Sequence, residues 1–341
     1  MSITRIIATL GVVAVLAVMI LHSMSVWRRF DWPLFFDNAR YVSIWHSIGA
    51  VAFIYAGFLL RAVRWRVFLR SVKEIPAARL LGPTVVGFAG LAIVGYPGEL
   101  IRPCLIARRE DLSVSSQLAA LMLERIFDMA SVGVLISAAL LVSSEAEYLP
   151  FPIQLRHGVM LLIGILAALS MFILLLANSG EEAGLVLKHL LAPLTGRIAH
   201  KVAGITKAFG ADLNLIRDAR SLIELLILSF AIWLLIALAY LQTLHAFGAL
   251  RAMSLAQALL LLGFALLGSL ARLPGGGTQQ LAIIAALISV FHVQAELAVS
   301  CGILVWLTII MAPVPVGLVL AWQEGSSLRP LLRTSGWTRP A

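Results

Sequence analysis

The chain has 341 residues, of which 61% are hydrophobic and 13% charged, with a net charge of +9 and a mean hydropathy of +0.98. About a quarter of a soluble domain is charged, so this composition excludes an ordinary globular protein and specifies a polytopic membrane protein. The basic residues lie in loops beside apolar segments, not in a basic domain, which speaks against a nucleic-acid partner and fits orientation by the positive-inside rule.

In chain order, the basic start and long apolar run "MSITRIIATLGVVAVLAVMILHSMS" predict a retained first span over 4–22 instead of a cleaved signal peptide. Segments 41–62, 117–142, 157–178, 221–246 and 298–322 are also long enough to cross, at about 20 residues each. Segments 80–96 and 255–273 differ, because they run into Pro97-Gly98 and Pro274-Gly275-Gly276-Gly277. The stretch after the first break, "ELIRPCLIARRED", is too short and too charged to cross, and "TQQLAIIAALISVFHV" after the second is marginal.

Charge sets the expected topology. With Arg5 cytoplasmic, the basic loops 61–79 and 179–220 and the tail with Arg329, Arg333 and Arg339 all fall inside, provided both interrupted segments turn back. Glu145 and Glu147 then lie outside; loop 23–40 also lies outside, against its Arg28, Arg29 and Arg40. The expected fold is therefore an all-α polytopic membrane protein of about six full spans plus two re-entrant helical hairpins in an inverted-topology repeat. Residues 1–148 form the first repeat, with hairpin 80–109. Residues 149–341 form the second, with an amphipathic loop over 179–220, hairpin 255–292 and a basic tail. Both termini are expected on the cytoplasmic face of the inner membrane. Helix breakers at matching places in two halves are the strongest sequence pointer to a transporter's binding site.

Charges inside apolar segments mark the candidate residues. Span 117–142 contains "LERIFDMA", where each buried charge costs about 3 kcal/mol on insertion scales. Glu124 and Asp128 share one helix face, and Arg125 reaches Asp128 at i, i+3. A closed structural network and a polar path both account for Glu124 and Asp128; Arg125 is the natural holder of an anionic headgroup. In the first hairpin Gly95, Pro97 and Gly98 permit the reversal. Glu99 and Arg102 either pair with each other, or the half-helix 98–109 presents its amino end and Arg102 to a phosphate. At the second break Arg272 precedes, and Thr278, Gln279 and Gln280 come after, a polar opening suited to a cavity. The stretch "LLRAVRWRVFLR" at 59–70 reads as a cytoplasmic anchor with Trp65 in the aromatic belt, the alternative being Arg64 or Arg66 turned inward. Cys104 and Cys301 are expected as free thiols; no metal or other cofactor is expected, and the seven histidines receive no role.

At these residues the sequence resembles the flippase-like family typified by the transmembrane region of lysylphosphatidylglycerol synthetase, which includes proteins implicated in hopanoid transport. The resemblance rests on "RAVRW" at 61–65, "GYPGELIRPCLIARR" at 95–109, "LERIFDMA" at 123–130 and "LPGGGTQQ" at 273–280. It implies a transporter of a polar lipid, with Arg61, Arg64, Trp65, Pro97, Gly98, Glu99, Arg102, Glu124, Arg125, Asp128, Pro274, Gly275 and Gly276 as motif positions. Many members carry a Glu after the second glycine-rich turn, where this chain has Gln279, Gln280 and Leu281, which tells against a carboxylate-dependent step on that side.

The expected activity is transport of an anionic or isoprenoid- or hopanoid-type lipid, with the lipid as partner and either self-association or a lipid-biosynthetic partner compatible with it. A membrane-embedded enzyme acting on a lipid-linked substrate through paired carboxylates is the alternative, as is a non-transporting scaffold.

Overall fold

A computed structural model describes residues 30–70, 72–143, 219–270 and 276–334. The expected spans 4–22 and 157–178, the amphipathic segment before residue 219, and Arg272, Pro274 and Gly275 lie outside the described residues.

The described chain is helical throughout: α1 (Trp32–Arg40), α2 (Ile44–Leu69), α3 (Ala77–Val94), α4 (Tyr96–Glu99), α5 (Ile101–Glu110), α6 (Val114–Val142), α7 (Ala219–His245), α8 (Leu255–Ser269), α9 (Gly277–Ser289), α10 (Ala295–Val305) and α11 (Pro313–Thr334). Five of its helical stretches are long and apolar enough to cross a bilayer: Ile44–Leu69, Ala77–Val94, Val114–Val142, Arg220–His245 and the composite Ala295–Gln323. The protein is thus a multi-pass membrane protein by composition and by helix length.

Helix starts reflect local capping chemistry. Ser113 accepts a bond from the Ser116 amide at the head of α6, and Ser254 forms a reciprocal capping box with Gln257 at the head of α8. In the supposed outer loop 23–40, residues 32–40 are a helix, because Asp31 caps it and Pro33 stands in its first turn. α2 runs on to Leu69, so Arg61, Arg64 and Arg66 are helical; the connecting loop is shorter and less basic than the sequence suggested. The last expected span, 298–322, is interrupted by a π turn at Trp306–Ile310 and a break at Met311–Ala312, because Pro313 and Pro315 withhold the amides that would continue α10.

α2 and α7 lie antiparallel along their whole length, with ties at Arg70–Glu224, Arg64–Ser229 and His46–Gln242. Each interrupted segment folds back on itself. The first turns at Gly95, whose φ of 78° is left-handed and free of strain only for glycine. Its two arms, α3 and α4–α5, then close so tightly that a Cβ on Gly98 would lie 2.2 Å from the Gly90 carbonyl. The ends of this hairpin meet, for Lys73 Nζ donates to the Glu110 carbonyl at 2.7 Å and Arg79 lies 3.6 Å from the Glu110 carboxylate. The second hairpin pairs α8 with α9 and turns into α9 at Gly276, which has a φ of 73°. The expected bounds 80–109 and 255–292 correspond to helices over 77–110 and 255–289.

The hairpins pack crosswise: α3 lies against α11, and α8 lies against α6. The larger apolar core gathers around Tyr240, α8, α9 and α10, with Cys301 inside it, and a second core surrounds Trp65, Phe68, Ile106 and Phe127. Large apolar side chains such as Trp45, Val142, Leu281 and Trp322 face outward, as a hydrocarbon environment allows.

Candidate functional site

Charges from α2, α5 and α6 converge where the first hairpin meets the bundle. Arg61, Arg64 and Trp65 fall on the inward face of α2, while Glu124 and Asp128 are one turn apart on α6. Burying each group alone would cost several kcal/mol, so each requires a partner.

Arg64, fully buried, is the centre. Its Nη2 donates to Glu124 Oε1 at 2.5 Å, and its Nη1 to Asp128 Oδ1 at 2.7 Å and Ser229 Oγ at 2.8 Å. Arg102 closes the other side of Glu124, donating from Nη2 to Oε2 and from Nη1 to Oε1, the latter at 3.3 Å. Its guanidinium stacks 4.1 Å over the Trp65 ring, whose Nε1 donates to Gln117 Oε1 at 3.0 Å. Trp233 Nε1 donates to Asp128 Oδ1 at 3.0 Å. Glu124 and Asp128 are therefore held by the two innermost arginines.

The outer layer is looser. Arg125 Nη2 forms an ion pair with Glu99 Oε1 at 2.7 Å and Nη1 lies 3.6 Å from Asp128 Oδ2, linking α6 to the hairpin tip. Arg61 Nη1 is 3.5 Å from Glu124 and 3.7 Å from Asp128, and the group lies 4.7 Å over Phe88. Asp128 Oδ2 accepts no hydrogen bond among the described residues.

Arg61, Glu99 and Arg125 form one end of a cavity of about 320 Å³. Gly95 at the first hairpin turn and Gly276, Thr278 and Gln279 at the second also line it. Its walls are mostly apolar, including Phe58, Leu91, Ile236, Leu262 and Ile309. At the second hairpin Gln279 Nε2 donates to the buried Tyr240 hydroxyl at 3.3 Å.

The structure thus brings most of the sequence-predicted residues into one region but in two ranks. Glu99, Arg125, Gly276, Thr278 and Gln279 line the cavity; Arg64, Arg102, Glu124 and Asp128 stand behind them. Pro97 and Gly98 shape the hairpin tip, and Gln280 faces Gly302 of α10. Glu99 and Arg102 do not pair with each other, because the tip turns Glu99 toward Arg125 while Arg102 enters the Glu124 site. The anchor reading of 59–70 is corrected as well: Trp65 and Arg64 are buried, and only Arg66 and Arg70 of its arginines face outward.

Arg61, Tyr240 and Trp233 also belong to the site. Arg61 was signalled only as a motif position, and the two aromatics sit in an uninterrupted apolar run that carries no polar signal.

A helical membrane protein with a charged, partly hollow centre between two folded-back hairpins is the class this geometry defines. The chain belongs to the lysylphosphatidylglycerol synthase TM region family, whose profile matches residues 6–317. Comparison with curated proteins and with solved structures gives no significant match.

Proposed function

We propose that the protein moves a polar lipid within or across the cytoplasmic membrane, holding the headgroup in the cavity while the acyl chains remain in the bilayer. The observation that carries this reading is the cavity's composition, charged at one hairpin tip, hydrogen-bonding at the other and apolar between. A purely structural ion network would have no need of a hollow of about 320 Å³ beside it.

Both hairpins are re-entrant in this reading. α8 and α9 have 15 and 13 residues, about 22 and about 20 Å, short of a hydrocarbon core of about 30 Å. α3 alone has 18 residues and is long enough to cross, but the return through α5 leaves Glu110 beside Lys73, which favours entry and exit on one side. The crosswise packing of α3 on α11 and α8 on α6 supports an inverted repeat. Arg125 contacts the headgroup, whereas Arg102 acts as a positioning residue through Glu124. Both α6 carboxylates are committed to arginines, so we assign neither a role as general acid or base, and transport is preferred over an enzymatic reading.

The test is reconstitution in liposomes with a labelled anionic phospholipid, with and without an imposed membrane potential. Protein-dependent exchange between leaflets is expected, slowed at least about tenfold in Arg125→Gln by loss of a charge-assisted contact. Folded protein that exchanges lipid no faster than empty liposomes under either condition would refute transport.

A further inference from the structure

α1 stands where three spans end. Just before it, the Asp31 amide donates to Glu296 Oε1 in the first turn of α10 at 3.2 Å. Just after it, the Ser43 amide donates to the carbonyl of Ala246, past the end of α7, at 2.9 Å, and α2 begins at Ile44. Nine residues make a helix of about 13 Å, too short to cross a bilayer. α1 therefore lies at the level where the apolar spans meet water.

At about 3.6 residues per turn its residues sort onto three sides. Trp32, Phe35, Phe36 and Ala39 fall together, Pro33, Asp37 and Arg40 fall beside them, and Leu34 and Asn38 take the remaining side. α1 packs on α10, and Leu34 and Asn38 are half-buried, whereas Asp37 and Arg40 are exposed. The aromatic side forms one ridge. The Phe36 ring is centred 5.2 Å from Phe35 and 6.4 Å from Trp32, yet Phe36 remains 64% exposed. The ridge runs on along the chain through Tyr41 and Trp45, 74% and 79% exposed, to Ile44 and Ile48 on the outward face of α2.

An exposed apolar surface rimmed by polar groups marks an interaction site. Composition argues against a protein partner, because interface cores are depleted of charge, while Asp31, Asp37 and Arg40 border this ridge and are exposed. The boundary between lipid headgroups and acyl chains matches it. Tryptophan and tyrosine concentrate there, with their rings in the apolar layer and their N–H and O–H groups at the wet edge, and neighbouring charges reach water. The ridge is also continuous with the lipid-facing side of α2.

We propose that α1 is an interfacial helix whose partner is the surface of the leaflet at which α2 begins. Trp32, Phe35, Phe36 and Ala39 lie in the headgroup–acyl boundary, and Pro33, Asp37 and Arg40 face water. None of these residues lines the cavity, so the assignment stands or falls separately from transport.

The experiment uses the full chain in nanodiscs of phosphatidylcholine and phosphatidylglycerol. Cys104→Ala removes the half-buried thiol, Cys301 is buried, and a nitroxide is attached through Phe36→Cys or Asp37→Cys. Collisions of the label with oxygen, which concentrates in lipid, and with a water-soluble nickel chelate are compared. The label at position 36 should meet oxygen in preference to nickel, at a depth of about 5–10 Å inside the phosphate level, and the label at position 37 should show the reverse. A label at position 36 as open to nickel as its neighbour would put the ridge in water and overturn the proposal. A label shielded from both reagents would put it against protein, a second copy or another part of this chain, and overturn it equally. If the label at position 36 prevents folding, Tyr41→Cys reads the same boundary and decides. In nanodiscs of phosphatidylcholine alone the depth should be unchanged, since rings and not anionic headgroups hold the helix; a depth lost there would overturn the aromatic assignment.

Discussion

Replacing Arg64 by Met keeps most of the side chain's length and removes its charge, which tests whether the buried ions form a mutually dependent set. Arg64 is fully buried and contacts Glu124, Asp128 and Ser229 at 2.5, 2.7 and 2.8 Å. Without it Glu124 retains Arg102, but Asp128 is left with Trp233 at 3.0 Å and with arginines no nearer than 3.6 Å. Removing one partner of a buried ion pair costs about 3–5 kcal/mol, because the other charge stays buried. At about 1.4 kcal/mol per factor of ten this lowers the folded-to-unfolded ratio by about two to four decades, a large share of a typical stability of about 5–15 kcal/mol. Unfolding of the purified protein by sodium dodecyl sulfate in mixed micelles, monitored by tryptophan fluorescence, reads this as a shift to lower detergent fraction. Arg64→Lys should fall between, because one ammonium does not span both carboxylates as the guanidinium does. In a double-mutant cycle with Glu124→Gln the two costs should fail to add by about 1 kcal/mol or more. An Arg64→Met protein that unfolds at the wild-type detergent fraction would refute the reasoning.

The geometry fixes two further outcomes. Gly98→Ala forces a Cβ to within 2.2 Å of backbone atoms of Gly90, so the hairpin must open, at about 1–3 kcal/mol; thermal unfolding should show it, whereas Gly248→Ala, which meets nothing within 4 Å, should be nearly neutral. Arg70→Gln breaks an ion pair with Glu224 whose side chains are 37% and 34% exposed, so it should cost less than about 1 kcal/mol, and raised salt should erase the difference.

The parts of the fold that were legible are those encoded by rare local events. Pro-Gly breaks in apolar segments marked both hairpins, and "LERIFDMA" marked α6 as a helix with a charged inner face. Pairing was less legible. Spacing of i, i+3 put Glu99 beside Arg102, but the turn at Gly95 aims the short α4 at α6, and tertiary proximity to Arg125 prevails over local spacing. "RAVRW" has the composition of an interfacial anchor; only the presence of Glu124, Asp128 and Gln117 on a neighbouring helix makes burial of Arg64 and Trp65 favourable, and no local pattern reports that neighbour. Tyr240 and Trp233 were invisible for a related reason, since an aromatic ring inside an apolar run looks the same whether its polar edge meets lipid or a partner.

The crosswise packing has a consequence for biosynthesis. α11 seats Gly317 against α3 so closely that a Cβ there would lie 2.3 Å from that of Ala89. α11 is synthesised after every other described helix, so the outer flank of the first hairpin waits for its cover until α11 has emerged. The first hairpin thus gains this part of its packing only from a helix more than 200 residues further along the chain.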